Sequence, residues 1–193
     1  MKPLLKKLTP NDTLIKPFDC EDADLNGFLL ESDSHKANAR HHARELLAVT
    51  YLVEDTEKNR TVAYFSLLND ILERELTDPK EWKRLSKEIP NIKRRSSHPA
   101  VKLGRLAVSA MYQKQGWGTR ILNLLKQWFT HNNKTGCRYI TVDALRSAQS
   151  FYEKNGFQVL VSPGEDDETV LMYYDLKKFA VSVSSEVRVP AEA

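Results

Sequence analysis

The stretch KLGRLAVSAMYQKQGWGTRILNLLKQWF, residues 102–129, changes its pattern twice and decides the fold. It begins as an apolar run typical of a β-strand and then passes through two closely spaced glycines. After the glycines, apolar residues recur at the i, i+3, i+4, i+7 and i+8 positions, which predicts an amphipathic helix over 119–131. Its apolar face would comprise Ile121, Leu124, Leu125, Trp128 and Phe129.

The junction between this strand and this helix has the features of an anion site. The first amides of a helix have no internal partner, and the helix dipole adds positive potential there. Gly116 and Gly118 let the backbone come close to a bulky anion, while Gln113, Lys114 and Gln115 add donors and one cation. No carboxylate lies in the stretch. The junction therefore predicts a phosphate-binding loop.

Two common phosphate loops are excluded by their spacing. A Walker loop needs Gly-Lys-Ser/Thr at its end, whereas Gly118 is followed directly by Thr119. A dinucleotide-binding loop needs a third glycine at position 121, which is Ile121. The pattern that remains is Q-x-x-G-x-G between a strand and a helix.

Length and composition bound the remaining possibilities. The chain has 193 residues, of which 41% are hydrophobic and 28% charged, as expected for one globular domain. A net charge of +3 permits an anionic ligand without demanding one. Cys20 and Cys137 are read as reduced thiols, no signal peptide is expected, and no window approaches the length of a membrane span. We therefore expect a cytoplasmic protein.

The order of the predicted elements indicates an α/β (α+β) fold. A helix capped by Asp19 is expected around the apolar positions 25–29, and further helices are expected over 34–43, 78–89, 119–131 and 147–155. Strands are predicted at 4–8, 46–53, 61–68, 101–108, 138–144, 157–161 and 170–176. The polar run EDTEKNR at 54–60 is expected to close a hairpin.

The connection between Asn69 and Pro99 is too long for an ordinary loop. Asp78 and Pro79 are typical of a helix start, so we expect a charged helical insertion at about 70–99. Lys93, Arg94 and Arg95 follow it, and they are read either as a solvated loop or as a contact to a polyanion such as RNA.

The glycine loop resembles motif A of the GNAT family of N-acetyltransferases, in which that loop holds the pyrophosphate of coenzyme A. Two further stretches strengthen the resemblance: LGRLAVSAMYQKQGWG at 103–118 has the strand–loop spacing of the family, and SFYEKNGF at 150–157 is similar to its Tyr-x-x-x-Gly-Phe motif. The resemblance implies a mixed, mostly antiparallel twisted sheet of six to seven strands, splayed at the motif A strand and flanked by helices. It implies one domain over 1–178 and a tail over 179–193.

The resemblance also implies a set of cosubstrate contacts and no metal. The backbone of β-type residues before the loop would hold the pantetheine arm, and an amide near Val108 would polarise the thioester carbonyl. The loop would hold the pyrophosphate. The implied acetyl-CoA contacts are Leu106, Ala107, Val108, Gln113, Lys114, Gln115, Gly116, Trp117, Gly118 and Thr119.

Tyr152 is the implied catalytic residue, donating to the thiolate that leaves when an amine attacks the thioester. The alternative is a structural aromatic beside Phe151. The family often carries an asparagine seven residues before this tyrosine, where the present chain has Leu145.

The sequence gives weaker signals for the residues that bind the acceptor substrate. Asp70 and Asp143 are each read as a general base or as an ordinary structural carboxylate, and His98 as a substrate contact. His35, His41 and His42 lack the i, i+4 spacing of a metal chelate. The substrate candidates are Asn69, Asp70, Lys93, Arg94, Arg95 and Asp143.

A narrower resemblance concerns the acceptor. FDCEDADLNGFL at 18–29, together with GRLAV, VDA and SFYEKNGF, is similar to the acetyltransferase toxins of toxin–antitoxin modules. That resemblance implies acetylation of the α-amine of aminoacyl-tRNA, a homodimer and a ribbon-helix-helix antitoxin. Two alternatives stay open: a stand-alone N-acetyltransferase of a small-molecule or protein amine, and a non-catalytic module that binds coenzyme A.

Overall fold

The structure is a computed structural model that describes residues 2–32, 37–87, 89, 96–131 and 136–180. Lys93, Arg94, Arg95 and His35 lie outside the described residues, as does the tail from 181 onward. Across the described ranges, the helices are too short or too polar to cross a membrane.

The described residues form one sheet of seven strands with helices between them, which confirms the predicted α/β fold. The strand order is β1-β2-β3-β4-β5-β7-β6. The strands are β1 (Pro3–Lys7), β2 (Val49–Asp55), β3 (Arg60–Glu73), β4 (Ser97–Val108), β5 (Tyr139–Leu145), β6 (Gln158–Val159) and β7 (Thr169–Asp175). The helices are α1 (Ala23–Leu30), α2 (Ala39–Arg44), α3 (Pro79–Ser86), α4 (Trp117–Thr130) and α5 (Gln149–Lys154). Short 3-10 turns lie at Ala110–Tyr112 and Arg146–Ala148.

The predicted hairpin around EDTEKNR is confirmed by the strand register. β1 pairs with β2 and β2 with β3, both antiparallel, and Asp55 lies opposite Arg60 across the EDTEKNR turn. β7 is antiparallel to both β5 and β6. The prediction that β2 begins at Leu46 is wrong, because Leu46 has a left-handed φ of 57° that a strand cannot contain.

The predicted cap of α1 is also wrong by three residues. Asp22 is the N-cap, and its side chain accepts a hydrogen bond from the Leu25 amide at 2.9 Å. Asp19 instead accepts from the Glu21 amide and from the Asn26 side chain, at 2.9 and 2.7 Å. Asp19 therefore stabilises the turn that leads into the helix.

The chain divides into two compact units, which comprise Met1–Asn69 with Lys102–Ile121, and Asp70–Val101 with Leu122–Ala193. The chain passes from one unit to the other inside β3, inside β4 and inside α4. The core of the first unit includes Phe28, Leu29, Leu52, Tyr64 and Ala107. The core of the second includes Leu72, Trp82, Leu85, Tyr139 and Tyr173.

The helix predicted inside the 70–99 segment is part of the second core. Asp78 caps α3 by accepting from the Lys80 amide at 2.8 Å, and Pro79 occupies the first turn. Trp82 is buried, and the Leu85 carbonyl accepts a hydrogen bond from the Tyr139 hydroxyl at 3.2 Å. This helix therefore contributes to the packing of its unit.

Candidate active site

The loop between β4 and α4 has the backbone of an anion-binding turn. Lys114 and Gly116 both adopt positive φ, at 57° and 80°. A Cβ built on Gly116 would meet no atom within 4 Å, so the space beside this residue is open. Glycine at 116 is thus favoured by the backbone conformation, and the space directly beside it is unoccupied by other protein atoms.

The start of α4 presents its first amides without an opposing carboxylate. The helix begins at Trp117, directly after the turn, and its first turn holds no acidic residue. The Trp117 side chain is buried, and the Arg120 guanidinium lies 5.0 Å from its ring centroid. Gly118 and Thr119 therefore lie in the first turn of a helix whose dipole favours an anion.

The two glutamines of the loop hold it in place. The Gln113 side-chain amide donates to the carbonyls of Val108 and Cys20, at 3.2 and 3.3 Å. The Gln115 side-chain amide donates to the Met111 carbonyl at 2.9 Å. In this structure their side chains therefore order the loop.

Tyr112 stabilises the N-terminal part of the loop after β4. Its side chain is buried, and its hydroxyl donates to the Asp55 carboxylate at 3.1 Å. Burial and this hydrogen bond raise the pKa of Tyr112. The Ser109 amide donates to the Val62 carbonyl at 2.8 Å, so the loop is tied both to the β2–β3 hairpin and to β3.

The last residues of β4 lead directly into this loop. Ala107 is buried in the first core, whereas Leu106 and Val108 are half-buried. A Cβ on Gly104 would lie 2.7 Å from Cδ2 of Leu68, so glycine there allows the side chain from β3 to approach β4 closely. The sequence motif therefore sits on a strand that is fixed by its neighbour.

Tyr152 lies in the second unit, on α5, and is only 6% exposed. Its ring makes edge contacts with Phe151 and Phe157, at centroid distances of 5.1 and 5.4 Å. Burial raises the pKa of Tyr152 to about 12. The phenol is therefore fully protonated at neutral pH and able to donate a hydrogen bond.

A buried lysine supports the end of the helix that carries Tyr152. Lys126 on α4 is 5% exposed, and its ammonium donates to the Asn155 carbonyl at 2.8 Å. Asn155 is the C-cap of α5, where the helix dipole favours a cation. The ammonium also lies 4.2 Å from the Tyr174 ring centroid. Lys126 thus connects the C-terminus of α5 to the ring of Tyr174 on β7.

The structure places the substrate candidates in different environments. Asp70 is half-buried and accepts a hydrogen bond from the Thr141 hydroxyl. Asp143 on β5 and Asn69 on β3 are exposed. His98 is buried and stacks on Trp82 with the rings 4.7 Å apart. Within the described ranges, no group of three or more His, Cys, Asp or Glu residues could hold a metal ion.

Sequence reasoning missed Lys126 and Arg105 as residues of interest. Both could have been found from periodicity. Lys126 follows the buried Leu122 by four helical positions, and Arg105 shares a strand face with the buried Leu103 and Ala107. A charged residue on an apolar face is the observation that should have singled them out.

Comparison with known proteins identifies the chemistry. The family model described as an acetyltransferase (GNAT) domain matches residues 89–178. A comparison with curated proteins finds no match.

Three solved structures similar to this chain are structures of the proteins AtaT and KacT. AtaT complexed with acetyl-methionyl-tRNAfMet is 25% identical, covers 94% of this chain and 99% of its own, and has a TM-score of 0.70. A tyrosine-to-phenylalanine mutant of KacT is 24% identical over 94% and 99% of the two chains, with a TM-score of 0.71. An AtaT mutant bound to the C-terminus of the antitoxin AtaR and acetyl-CoA is 23% identical over 94% and 98%, with a TM-score of 0.64.

These matches confirm the predicted family, the predicted fold and the predicted class of enzyme. The family model is that of an acetyltransferase, and two of the similar AtaT structures contain acetyl-CoA, in agreement with the predicted cosubstrate. Residues 89–178 therefore match an acetyltransferase domain of the GNAT family, and the protein is an N-acetyltransferase.

Proposed function

We propose that this protein transfers the acetyl group of acetyl-CoA to the α-amine of an aminoacyl-tRNA, as a toxin-like enzyme of the bacterial cytoplasm. The observation that carries the proposal is the similarity to AtaT over nearly the whole of both chains, because that structure contains an acetylated aminoacyl-tRNA. The proposed acetyltransferase domain spans residues 1–178, with the helical segment at about 70–99 as an insertion.

The loop after β4 is proposed to hold the acyl donor. The backbone amides from Gly116 to Thr119, with Lys114 beside them, would bind the pyrophosphate of acetyl-CoA. The backbone of Leu106, Ala107 and Val108 would hold the pantetheine arm. The open space beside Gly116 and the absence of acidic residues in the first turn of α4 support this assignment.

The proposed reaction is a direct attack by the neutral amine on the thioester. The nitrogen bonds to the carbonyl carbon, giving a tetrahedral oxyanion that the amide near Val108 stabilises. The carbon–sulfur bond then breaks, the sulfur leaves with the electron pair, and the surplus proton of the amine is released. An α-amine has a pKa near 7.7 to 8.0, so roughly a tenth to a sixth of it is neutral at pH 7 without a strong base.

Tyr152 is proposed to stabilise the leaving sulfur. With its pKa raised to about 12, the phenol is a weaker acid than a thiol, whose pKa is about 8.5. Complete proton transfer to the thiolate would be uphill by about 5 kcal/mol, at 1.36 kcal/mol per pKa unit. We therefore assign Tyr152 a hydrogen bond to the sulfur as negative charge develops.

The substrate contacts and the partners are also proposals. Asn69, Asp70 and Asp143 are proposed to face the acceptor, and Lys93, Arg94 and Arg95 to bind RNA phosphates. By analogy with the AtaT complex that contains AtaR, we propose that an antitoxin controls this protein, and that it is of the ribbon-helix-helix type. A homodimer is proposed as the active assembly.

The test is induction of the wild-type protein in a bacterial host beside Tyr152→Phe, with transfer of labelled acetyl groups to bulk charged tRNA measured in parallel. Tyr174→Phe is the matched control, because it removes a hydroxyl from the same ring cluster around Phe157. We expect growth arrest and labelled tRNA with the wild type and the control, and neither with Tyr152→Phe.

Normal growth and unlabelled tRNA with the wild type would contradict the proposal. Turnover with a panel of small-molecule and protein amines would then identify a stand-alone N-acetyltransferase. Binding of acetyl-CoA without turnover of any amine would identify a non-catalytic module.

A further inference from the structure

Arg105 is held by an aromatic ring in the first unit. It lies on β4, one residue before the segment 106–108, and shares a strand face with the buried Ala107. The central carbon of its guanidinium lies 3.8 Å from the ring centroid of Phe28 on α1. This contact fixes the orientation of the charged group.

The guanidinium of Arg105 has unused hydrogen-bond donors. Its Nε is buried and has no acceptor among the described residues. Among the described residues it pairs with Asp24, with 3.8 Å between Nη2 and Oδ2, which is beyond hydrogen-bond distance. The Arg105 side chain is 30% exposed and that of Asp24 81% exposed, so a ligand can reach the Nη edge and displace the carboxylate.

Two histidines of α2 complete the cluster. The His42 ring contacts the same Phe28 ring edge-on at 5.3 Å, and the His41 ring lies 6.4 Å from that of His42. The Nδ1 of His41 is buried without a partner among the described residues. Burial, then Arg105, then His41 lower the pKa of His42, so its ring is neutral at pH 7 and Arg105 supplies the positive charge.

We propose that Arg105, with His41 and His42 beside it, binds a phosphodiester of the acceptor RNA. The planar guanidinium fork matches two phosphate oxygens. At a rise of about 3.3 Å per residue, Arg105 lies about 10 Å along the strand from Val108. The acceptor would therefore be held beside the end of the pantetheine arm. This inference rests on the proposed function.

The test measures the affinity of the full chain for purified aminoacyl-tRNA by fluorescence anisotropy at several salt concentrations. Acetyl-CoA is omitted, so no acetyl group is transferred. The variants are Arg105→Gln, which removes the charge, and Arg105→Lys, which keeps the charge and removes the fork. Arg74→Gln is the matched control, because Arg74 is exposed and lies in the other unit.

We expect Arg105→Gln to weaken tRNA binding about tenfold and to lower the slope of log affinity against log salt by about one. Arg105→Lys should weaken binding less and keep the wild-type slope. Arg74→Gln should match the wild type in both. An unchanged affinity for acetyl-CoA in each variant, measured by calorimetry, shows that the fold is intact.

Affinity and slope equal to wild type in Arg105→Gln would overturn the inference while leaving the proposed function in place. Absence of tRNA binding by the wild type would instead contradict the proposed acceptor, and the phosphodiester site with it. If Arg105→Gln also loses acetyl-CoA binding, Arg105→Lys becomes the deciding variant. Weaker tRNA binding at the wild-type salt slope would then support the inference, and tRNA affinity equal to wild type would overturn it.

Discussion

The left-handed backbone of Gly116 distinguishes the loop after β4 from an ordinary turn between a strand and a helix. Its φ of 80° is strained for any residue with a Cβ, although the space beside it would accept one. The requirement for glycine at this position is therefore set by the backbone conformation and not by the space for a side chain.

Gly116→Ala tests this requirement. We expect the free energy of unfolding to fall by about 1 kcal/mol, which is the cost of a left-handed conformation for an L-residue. We expect affinity for acetyl-CoA to fall by about tenfold, or 1.4 kcal/mol, as the loop relaxes. Thermal melts and calorimetry measure the two effects. Gly136→Ala, at a glycine with open space and no positive φ, should change neither.

The buried phenol of Tyr152 makes a prediction about pH. Because its pKa is about 12, the rate of acetyl transfer should rise as the acceptor amine loses its proton and then stay level to pH 10. An alkaline loss of rate with an apparent pKa near 10 would indicate that Tyr152 titrates normally. The ultraviolet difference titration of wild type against Tyr152→Phe measures the phenol directly.

At this scale, sequence reasoning predicted the turn at Gly116 but not the contacts of the Gln113 and Gln115 side chains. The turn was predictable because glycine adopts positive φ more readily than other residues. The choice between Asp19 and Asp22 as the cap of α1 was not, since both precede the helix and only the left-handed turn at Glu21 decides between them. Capping depends on local backbone geometry that composition does not encode.

Among the elements, α5 depends on a residue from another helix. The ammonium of Lys126 binds the carbonyl at the C-cap of α5 and faces the ring of Tyr174. Gly156, with φ of 84°, lets the chain turn there, and a Cβ on it would approach Tyr174 to 3.0 Å. The position of the short helix that carries Tyr152 is therefore fixed at its last turn.

Lys126→Met tests this support through the pH dependence of stability. Burial lowers the pKa of Lys126 in the folded state, so the unfolded chain holds more protons between that value and about 10.4. The stability of wild type relative to Lys126→Met should therefore rise as pH increases through this window. Melting temperatures at pH 7, 8.5 and 10 measure it, with the exposed Lys80→Met as control. A difference that stays constant with pH would contradict the prediction.

The presence of each helix and strand was more predictable than the residues at which it begins and ends. The apolar stripe of α4, the cap and proline of α3 and the alternation around the EDTEKNR turn each depend on local spacing, and each was confirmed. β3 continues to Glu73, five residues past its predicted end at Leu68, because pairing with neighbouring strands decides where a strand stops. Such pairing depends on the tertiary fold and not on the local sequence.

For the whole molecule, binding of acetyl-CoA should be visible as stabilisation. At one hundred times the dissociation constant, a ligand adds about 2.7 kcal/mol, which raises the melting temperature of a chain of this size by about 5 to 10 °C. Tyr152→Phe should keep this shift, since its role is proposed for the chemical step. Loss of the shift in that variant, measured by thermal melts, would indicate that Tyr152 instead supports cosubstrate binding.

The cluster around Arg105 was the least predictable feature at this scale. It combines β4, α1 and α2, which are separated by long stretches of sequence. No motif connects Phe28, His42 and Arg105, and only the fold brings them together. The resemblance to the acetyltransferase family was predictable because its motifs are contiguous in the sequence. The Arg105 cluster was not predictable, because its residues come from three separate elements.

The passage of the chain between the two units inside β3, β4 and α4 has a consequence for cooperativity. None of the three crossings is a linker, so melting one unit would break backbone hydrogen bonds in elements that continue into the other. The two units should therefore lose structure in a single transition, with the slowest amide hydrogen exchange in both reporting one common opening energy. Division of the chain at any one peptide bond would leave neither unit as an independent folding module.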